Sequence, residues 1–217
     1  MGGRGGLLES VEMRAQRRHV AVVDADVAVR ARLHHRALHH REDELGERAP
    51  VERRRQAVAH AEVVEAGAAG FTVHGTVRVA ATPDATWEGL TQPSRYWNGE
   101  HSWSGDAANM TLEPVAGGCF CEVLPASGGA VEHARVVYAA PGEMLRLRGS
   151  LGPLQAEALT GTLTVTFKAV DGGTEIAWDY VVGGHARFGL ETLAPAVDGV
   201  IGEQFGRLGD ALGRLPG

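Results

Sequence analysis

The 217-residue chain reads as an α+β protein, a meander of antiparallel strands followed by one long helix near the C-terminus. Three observations predict this. From Phe71 onward apolar and polar residues alternate with period two in one segment after another; Gly- and Pro-rich turns separate the segments; and beyond Leu190 the period becomes helical.

The first of these segments, FTVHGTVRV, puts Phe71, Val73, Gly75, Val77 and Val79 on one face and His74, Thr76 and Arg78 on the other, as a half-buried strand does. A short helix follows in TPDATWEGL, with Thr82 as N-cap, Pro83 at the first helical position, and Trp87 and Leu90 on its apolar side. Pro93 stops it, and SRYWNG is expected to form a second helical turn. Five strands come next, NMTLEP, GCFCEVL, AVEHARVVYAA, MLRLRGS and LTGTLTVTFKAV, broken at AGG, PASGG, PGE and GPLQ. The turn Asp171-Gly172-Gly173 then folds TEIAWDYVVGG back as a hairpin partner. Finally Leu193, Val197, Val200, Ile201, Phe205, Leu208 and Leu212 recur at helical spacing, so this helix must lie on a sheet. Gly199, Gly202, Gly206, Gly209 and Gly213 thin its surface. A glycine inside a helix costs roughly 1 kcal/mol against alanine, so a sheet or a ligand is expected to approach closely there.

Residues 1–70 differ from this pattern. They hold twelve Arg, no Lys, eleven acidic residues and no Phe, Tyr or Trp, which leaves little to bury. They are expected to form a disordered or loosely helical extension ahead of a domain spanning 71–217. His35 and His39 are i, i+4 neighbours and, with His34 and His40, invite a metal reading; solvated histidines in an Arg-rich segment are the plainer expectation. Ala59-His60-Ala61 fits the small-x-small rule of a signal-peptidase site, yet PVERRRQ precedes it where an apolar stretch belongs. Because the Arg-only, His-Arg-rich blocks resemble translation of GC-rich DNA in an unselected frame, the start is expected to be misassigned or frameshifted. A native export signal ending near Ala61 would make the protein periplasmic or secreted; without one it would be cytoplasmic.

The remaining charge is decisive about partners. Of the 21 basic and 27 acidic residues, 9 and 16 fall after residue 70, a net of −7 that repels nucleic-acid backbones. No run of eighteen apolar residues is present to span a membrane. No cofactor is predicted, and the oligomeric state is not set by these features.

VRVAATPDATWEGLTQPSRYW, the PGEMLRLRG segment, the GTLTVTF and GGTEIAWDY hairpin and the closing helix together resemble the START-like or SRPBCC superfamily over residues 71–215. Within it the chain looks closest to the polyketide cyclase/dehydrase and the heat-shock-chaperone ATPase-activator-like groups. The resemblance implies a helix-grip fold, a curved seven-stranded antiparallel sheet around the C-terminal helix. It also implies a small hydrophobic ligand, a lipid, hormone or polyketide, held between sheet and helix. Chaperone stimulation is not carried over, since those activators rely on further domains.

Candidate site residues follow from the same pattern. Cys119 and Cys121 flank Phe120 and share one strand face. If PASGG closes a hairpin, Cys121 lies opposite His133 and Cys119 opposite Arg135. Three readings stay open: small residues packed in the sheet; a disulfide, which at i, i+2 spacing needs a bulge; or zinc or copper held by Cys119, Cys121 and His133. Trp87, Tyr96, Trp97 and Trp103, with Trp178 and Tyr180, are core or lid packing, or they line a pocket with Glu100, His101 and Asp106 at its rim. An acid–base pair of His101 with Glu100 or Asp106 is the catalytic variant of that reading. The expected ligand-binding set is therefore Trp87, Trp97, Trp103, Cys119, Cys121, His133, Arg135, Trp178, Tyr180 and Phe205, with no metal and no assigned catalytic residue. Carriage of an apolar ligand is the expected function, and a cyclase, dehydratase or hydrolase using the same cavity is the alternative.

Overall fold

The structure is a computed structural model that describes residues 60–216. The histidine pairs at 34–35 and 39–40, and the Arg-rich segment around them, lie outside the described residues. The chain runs β1 (His60–Gly67), β2 (Gly70–Val79), α1 (Pro83–Leu90), β3 (Met110–Leu112), β4 (Cys119–Leu124), β5 (Gly129–Ala140), β6 (Met144–Arg148), β7 (Ala158–Val170), β8 (Gly173–His185) and α2 (Leu190–Ala211). Three single 3-10 turns, Pro93–Arg95, Gly99–His101 and Ala107–Asn109, interrupt the connection from α1 to β3. All eight strands join one antiparallel sheet in the order β1-β2-β8-β7-β6-β5-β4-β3. With α2 laid on its inner face, this is the helix-grip arrangement.

Seven of the strands and both helices occupy the segments that the periodicity predicts. Thr82 accepts a hydrogen bond from the Ala85 amide (3.3 Å), as an N-cap should, and Pro83 opens the helix. In β2 the predicted face, from Phe71 to Val79, is the buried one. The eighth strand corrects one expectation. His60–Gly67 falls in the part read as extension, so the sheet continues upstream of Phe71, and β2 is paired on both sides, with β1 and β8. HAEVVEAG has only Ala61 and Val63 packed against the core, too little apolar surface to announce a strand; pairing with β2 supplies the rest.

The glycines of α2 show why that strand matters. A Cβ on Gly202 would meet the Ala61 Cβ of β1 at 2.8 Å, and one on Gly209 would meet the Val77 Cγ2 of β2 at 2.8 Å. Two glycines seven residues apart thus let the helix backbone settle directly on β1 and β2. Leu190, Ala194, Ile201, Phe205 and Leu208 fill the space around them. Gly213 has φ +78° just beyond the helix, a left-handed C′ position that only glycine adopts without strain.

This packing separates the helix glycines experimentally. Gly199 faces open space, so Gly199→Ala should raise stability by roughly 0.5–1 kcal/mol through helix propensity. Gly202→Leu should lower it by about 1–3 kcal/mol by forcing α2 off β1. Urea midpoints of the two variants, at unchanged slope, provide the check.

Candidate functional site

A cavity lies between α2, the inner face of the sheet and the loop from α1 to β3. Strand alternation brings Leu112, Phe120, Leu145, Leu147, Leu163 and Val165 into it from four strands, β3, β4, β6 and β7. Ile201, Gln204 and Phe205 enter from the helix, and Leu90, Tyr96 and Trp97 close the remaining side. The space in it is about 30 Å³, room for a water molecule or two, and it is partly open to solvent. Its lining carries no carboxylate, imidazole, ammonium or guanidinium group.

The loop over the cavity is fastened to α2 by polar contacts. The Asn98 amide donates to Gln204 Oε1 (2.8 Å), and Asn98 Nδ2 to Glu203 Oε1 (2.6 Å). His101 Nε2 lies 3.0 Å from Glu203 Oε2, and Arg207 Nε donates to the Tyr96 carbonyl (2.6 Å). Beneath this latch the Trp97 ring meets Phe120 edge-on at 5.4 Å, while its Nε1–H reaches the His101 carbonyl. The Tyr96 hydroxyl donates to the Leu90 carbonyl (3.1 Å), and burial raises its pKa. Gln204 is 1% exposed, and its amide is used within the fold, Oε1 by Asn98 and Nε2 by the Val200 carbonyl (3.1 Å).

A second buried cluster sits beside Phe120. The Glu122 carboxylate accepts hydrogen bonds from the amides of Trp103 (3.0 Å) and Ser104, and from His133 Nε2 (2.9 Å). Both side chains are buried, and the His133 ring lies 5.0 Å from that of Phe120. Because Glu122 is acceptor-only when ionised, the proton is assigned to Nε2. Burial works to raise the Glu122 pKa, but the Ser104, Trp103 and His133 donors outweigh it and hold the group below its ordinary range. Burial depresses the His133 pKa, against the pull of Glu122.

A bulge makes this contact possible. The β4–β5 ladder pairs Phe120 with Ala134 but Cys121 with Glu132, leaving His133 as the extra residue. Two consecutive residues of β5, His133 and Ala134, consequently face inward. The expected pairing of Cys121 with His133 does not occur, whereas Cys119 does lie opposite Arg135. Cys119 and Cys121 are joined as a disulfide with Cα atoms 5.4 Å apart, the reading for which the sequence required a bulge. They lie on the outer face of the sheet with Arg135, so the bridge, Arg135 and His133 do not converge on a metal site, and no metal-binding group of three is found among the described residues.

The other predicted site residues separate in the same way. Trp97 and Phe205 line the cavity. Trp178 is fully buried behind Phe205, the rings stacked at 4.2 Å and 6°. Tyr180 is core; its hydroxyl donates to the Gly149 carbonyl and accepts from the Leu151 amide, and burial pushes its pKa up to about 12. Trp87 packs against Phe167 away from the cavity, and Trp103 is 52% exposed. His101 pairs with Glu203 rather than with Glu100 or Asp106, and Asp106 caps the 3-10 turn through Ala108, so the acid–base pair does not form. Most of the cavity lining is Leu and Val at inward strand positions, legible as alternation but not as a site.

The Glu122–His133 pair carries a pH dependence. Folded His133 binds a proton less readily than the unfolded chain, so stability is full above the unfolded histidine value near 6.5 and falls as pH drops below it. Folded Glu122 also binds its proton less readily than the unfolded carboxyl, so a further loss sets in below about pH 4.5. Glu122→Gln should lower stability at pH 7 by about 1–3 kcal/mol, since one amide oxygen replaces two charged acceptors, and it should flatten the acid limb. Urea unfolding between pH 7 and pH 4 measures both effects.

Comparison with known proteins places this architecture. No curated protein sequence matches the chain. Solved structures similar to it include protein MLL2253 from Mesorhizobium loti, at 20% identity and TM-score 0.47 over 65% of this chain and 96% of that one. The Aha1 dimer from Colwellia psychrerythraea is 14% identical with TM-score 0.46, over 65% and 95% of the two chains. CalU16 from Micromonospora echinospora is 14% identical with TM-score 0.44, over 70% and 80%. The match that assigns the chain is to a family model covering residues 70–213, from β2 to the end of α2. The chain belongs to the family described as polyketide cyclase / dehydrase and lipid transport, of the SRPBCC type.

Proposed function

We propose that the protein binds and carries a small hydrophobic ligand between the sheet and α2. The observation that carries this reading is the cavity lining: aliphatic and aromatic side chains from four strands and the helix, with no carboxylate, imidazole, ammonium or guanidinium group, beneath a loop latched by polar contacts. Such a surface rewards apolar burial at roughly 25 cal/mol per Å² and offers little to a charged substrate. At about 30 Å³ the cavity holds no lipid, so binding requires the Trp97 loop to lift from Phe120 and α2. The latch lies at the rim, where breaking and remaking hydrogen bonds with water changes little free energy. Phe205, pinned between cavity and Trp178, sets the depth.

A cyclase, dehydratase or hydrolase in the same cavity is the second reading, and the buried Glu122–His133 pair beside Phe120 is what supports it. Release of the Trp103 and Ser104 amides would have to expose Glu122 before it could act as a base.

Native mass spectrometry of the purified protein, with organic extraction of what it carries, is the first test. An apolar molecule, one per chain, is the expected finding. Val165→Phe, which fills the cavity, should abolish that binding at a cost of about 1–3 kcal/mol in stability. Binding unchanged in the filled variant would place the ligand elsewhere. Phe205→Ala should lower stability by about 3–5 kcal/mol, because the ring is stacked on Trp178 as well as bordering the cavity. Absence of ligand turnover in the wild-type protein would count against the enzyme reading; turnover lost in Glu122→Gln would assign the base to Glu122, and turnover retained there would place the base elsewhere.

A further inference from the structure

We propose that the Cys119–Cys121 bridge is a thiol–disulfide exchange site for small thiols, and that its reduction releases the β5 bulge that turns His133 towards Glu122. Both cysteines are partly exposed on the outer face of β4, away from the cavity, so a thiol in solution can reach them. The bridge spans a single residue, Phe120. A loop that short restrains the unfolded chain least of all, so the bridge adds little to global stability and its presence calls for another explanation.

The neighbours of the two sulfurs are unlike. Cys119 is paired across the ladder with Arg135, and Cys121 with Glu132, while Arg135 and Glu132 also form an ion pair with each other. Positive charge favours a thiolate at Cys119 and negative charge opposes one at Cys121. An incoming thiolate therefore attacks Cys121 Sγ; the S–S bond breaks, and Cys119 leaves as the thiolate and takes a proton from water. A second small thiol, as its thiolate, attacks the sulfur of the small thiol held on Cys121; the small disulfide leaves, and the Cys121 thiolate takes a proton from water. In sum the protein gains two electrons and two protons, and two small thiols become one small disulfide.

Geometry links this step to the interior. A regular strand advances about 3.3 Å per residue, which puts i, i+2 Cα atoms near 6.5 Å, and the bridge holds them at 5.4 Å. The ladder slips at the same place, between Phe120 and Cys121, where His133 becomes the extra residue. If the ladder ran on from Phe120–Ala134 without the slip, Cys121 would face His133, and both side chains would point outward. Glu122 would then keep Trp103 and Ser104 but lose its imidazole partner. The redox state of the outer face thereby sets how firmly the 102–104 loop is held on the inner one.

The full chain is equilibrated with buffers of reduced and oxidised glutathione, quenched with iodoacetamide and weighed, and backbone hydrogen exchange is followed in the same samples. The expected result is two alkylated cysteines per folded chain in the reducing buffer, with Cys119 labelled first, and exchange of the Trp103 and Ser104 amides about tenfold faster than in the oxidised protein. A bridge that stays closed until denaturant is added would overturn the exchange site. Reduction that leaves those amides unchanged would overturn the link to the bulge. The double variant Cys119→Ser with Cys121→Ser should show the fast exchange in both buffers, and slow exchange there would equally overturn the link; should that variant not fold, the reduced wild-type protein decides alone.

Discussion

One helix has to cover the inner face of an eight-stranded sheet, and it is not wide enough. At about 1.5 Å per residue the 22 residues of α2 span roughly 33 Å, while eight strands spaced about 4.8 Å apart present a surface equally broad in the other direction. A helix about 10 Å across covers a strip of it. Gly202 and Gly209 press that strip onto β1 and β2, at one edge of the sheet. The apolar face of β4 to β7 must find other cover, and the loop from α1 to β3 provides it with Tyr96 and Trp97. The cavity is the seam between those two covers. Its position, its apolar lining and the polar latch across its rim all follow from how close the helix sits to β1.

That division also sorts the polar groups. Where helix and loop meet, Asn98, His101, Glu203, Gln204 and Arg207 satisfy one another and the exposed backbone, so the seam is sealed without leaving a buried donor alone at the rim. The far end of the loop is held differently, by a carboxylate rising from the sheet itself: Glu122 grips two successive amides, at Trp103 and Ser104. A loop held at one end by a rim latch and at the other by a buried anchor can open at the first while the second keeps it in register.

Much of this was legible in the sequence, because strands and helices announce themselves by period. Phe71 to Val79 alternated cleanly, the Asp171-Gly172 turn marked its hairpin, and the helix face from Leu193 to Leu212 was visible as a stripe. What escaped did so for physical reasons. β1 offers the core only Ala61 and Val63, and its strand character comes from backbone pairing with β2 and from a helix glycine, neither of which a local pattern records. The place of the bulge escaped because no local pattern marks it, and a slip of one residue moved His133 off the sheet face of Cys119 and Cys121, where a regular ladder puts it. The ligand-site set leaned on large aromatics, of which Trp87 and Trp103 went to packing and to the surface, while modest inward residues such as Leu163 and Val165 line the cavity.

The Glu122–His133 pair shows how burial alone misleads about function. A buried carboxylate hydrogen-bonded to an imidazole is the arrangement a general base would use, and its perturbed protonation marks a candidate site. A base must also present an oxygen to the substrate. Both oxygens of Glu122 are taken, one by the Ser104 amide and the other by the Trp103 amide and His133, and neither side chain borders the cavity. The same hydrogen bonds that hold the carboxylate ionised are those that fix the loop, so exposing it to a substrate would cost the loop its anchor. Ionisation and loop position are one equilibrium here, which makes the pair a positioning device first; any chemistry it performs has to begin with the loop already displaced.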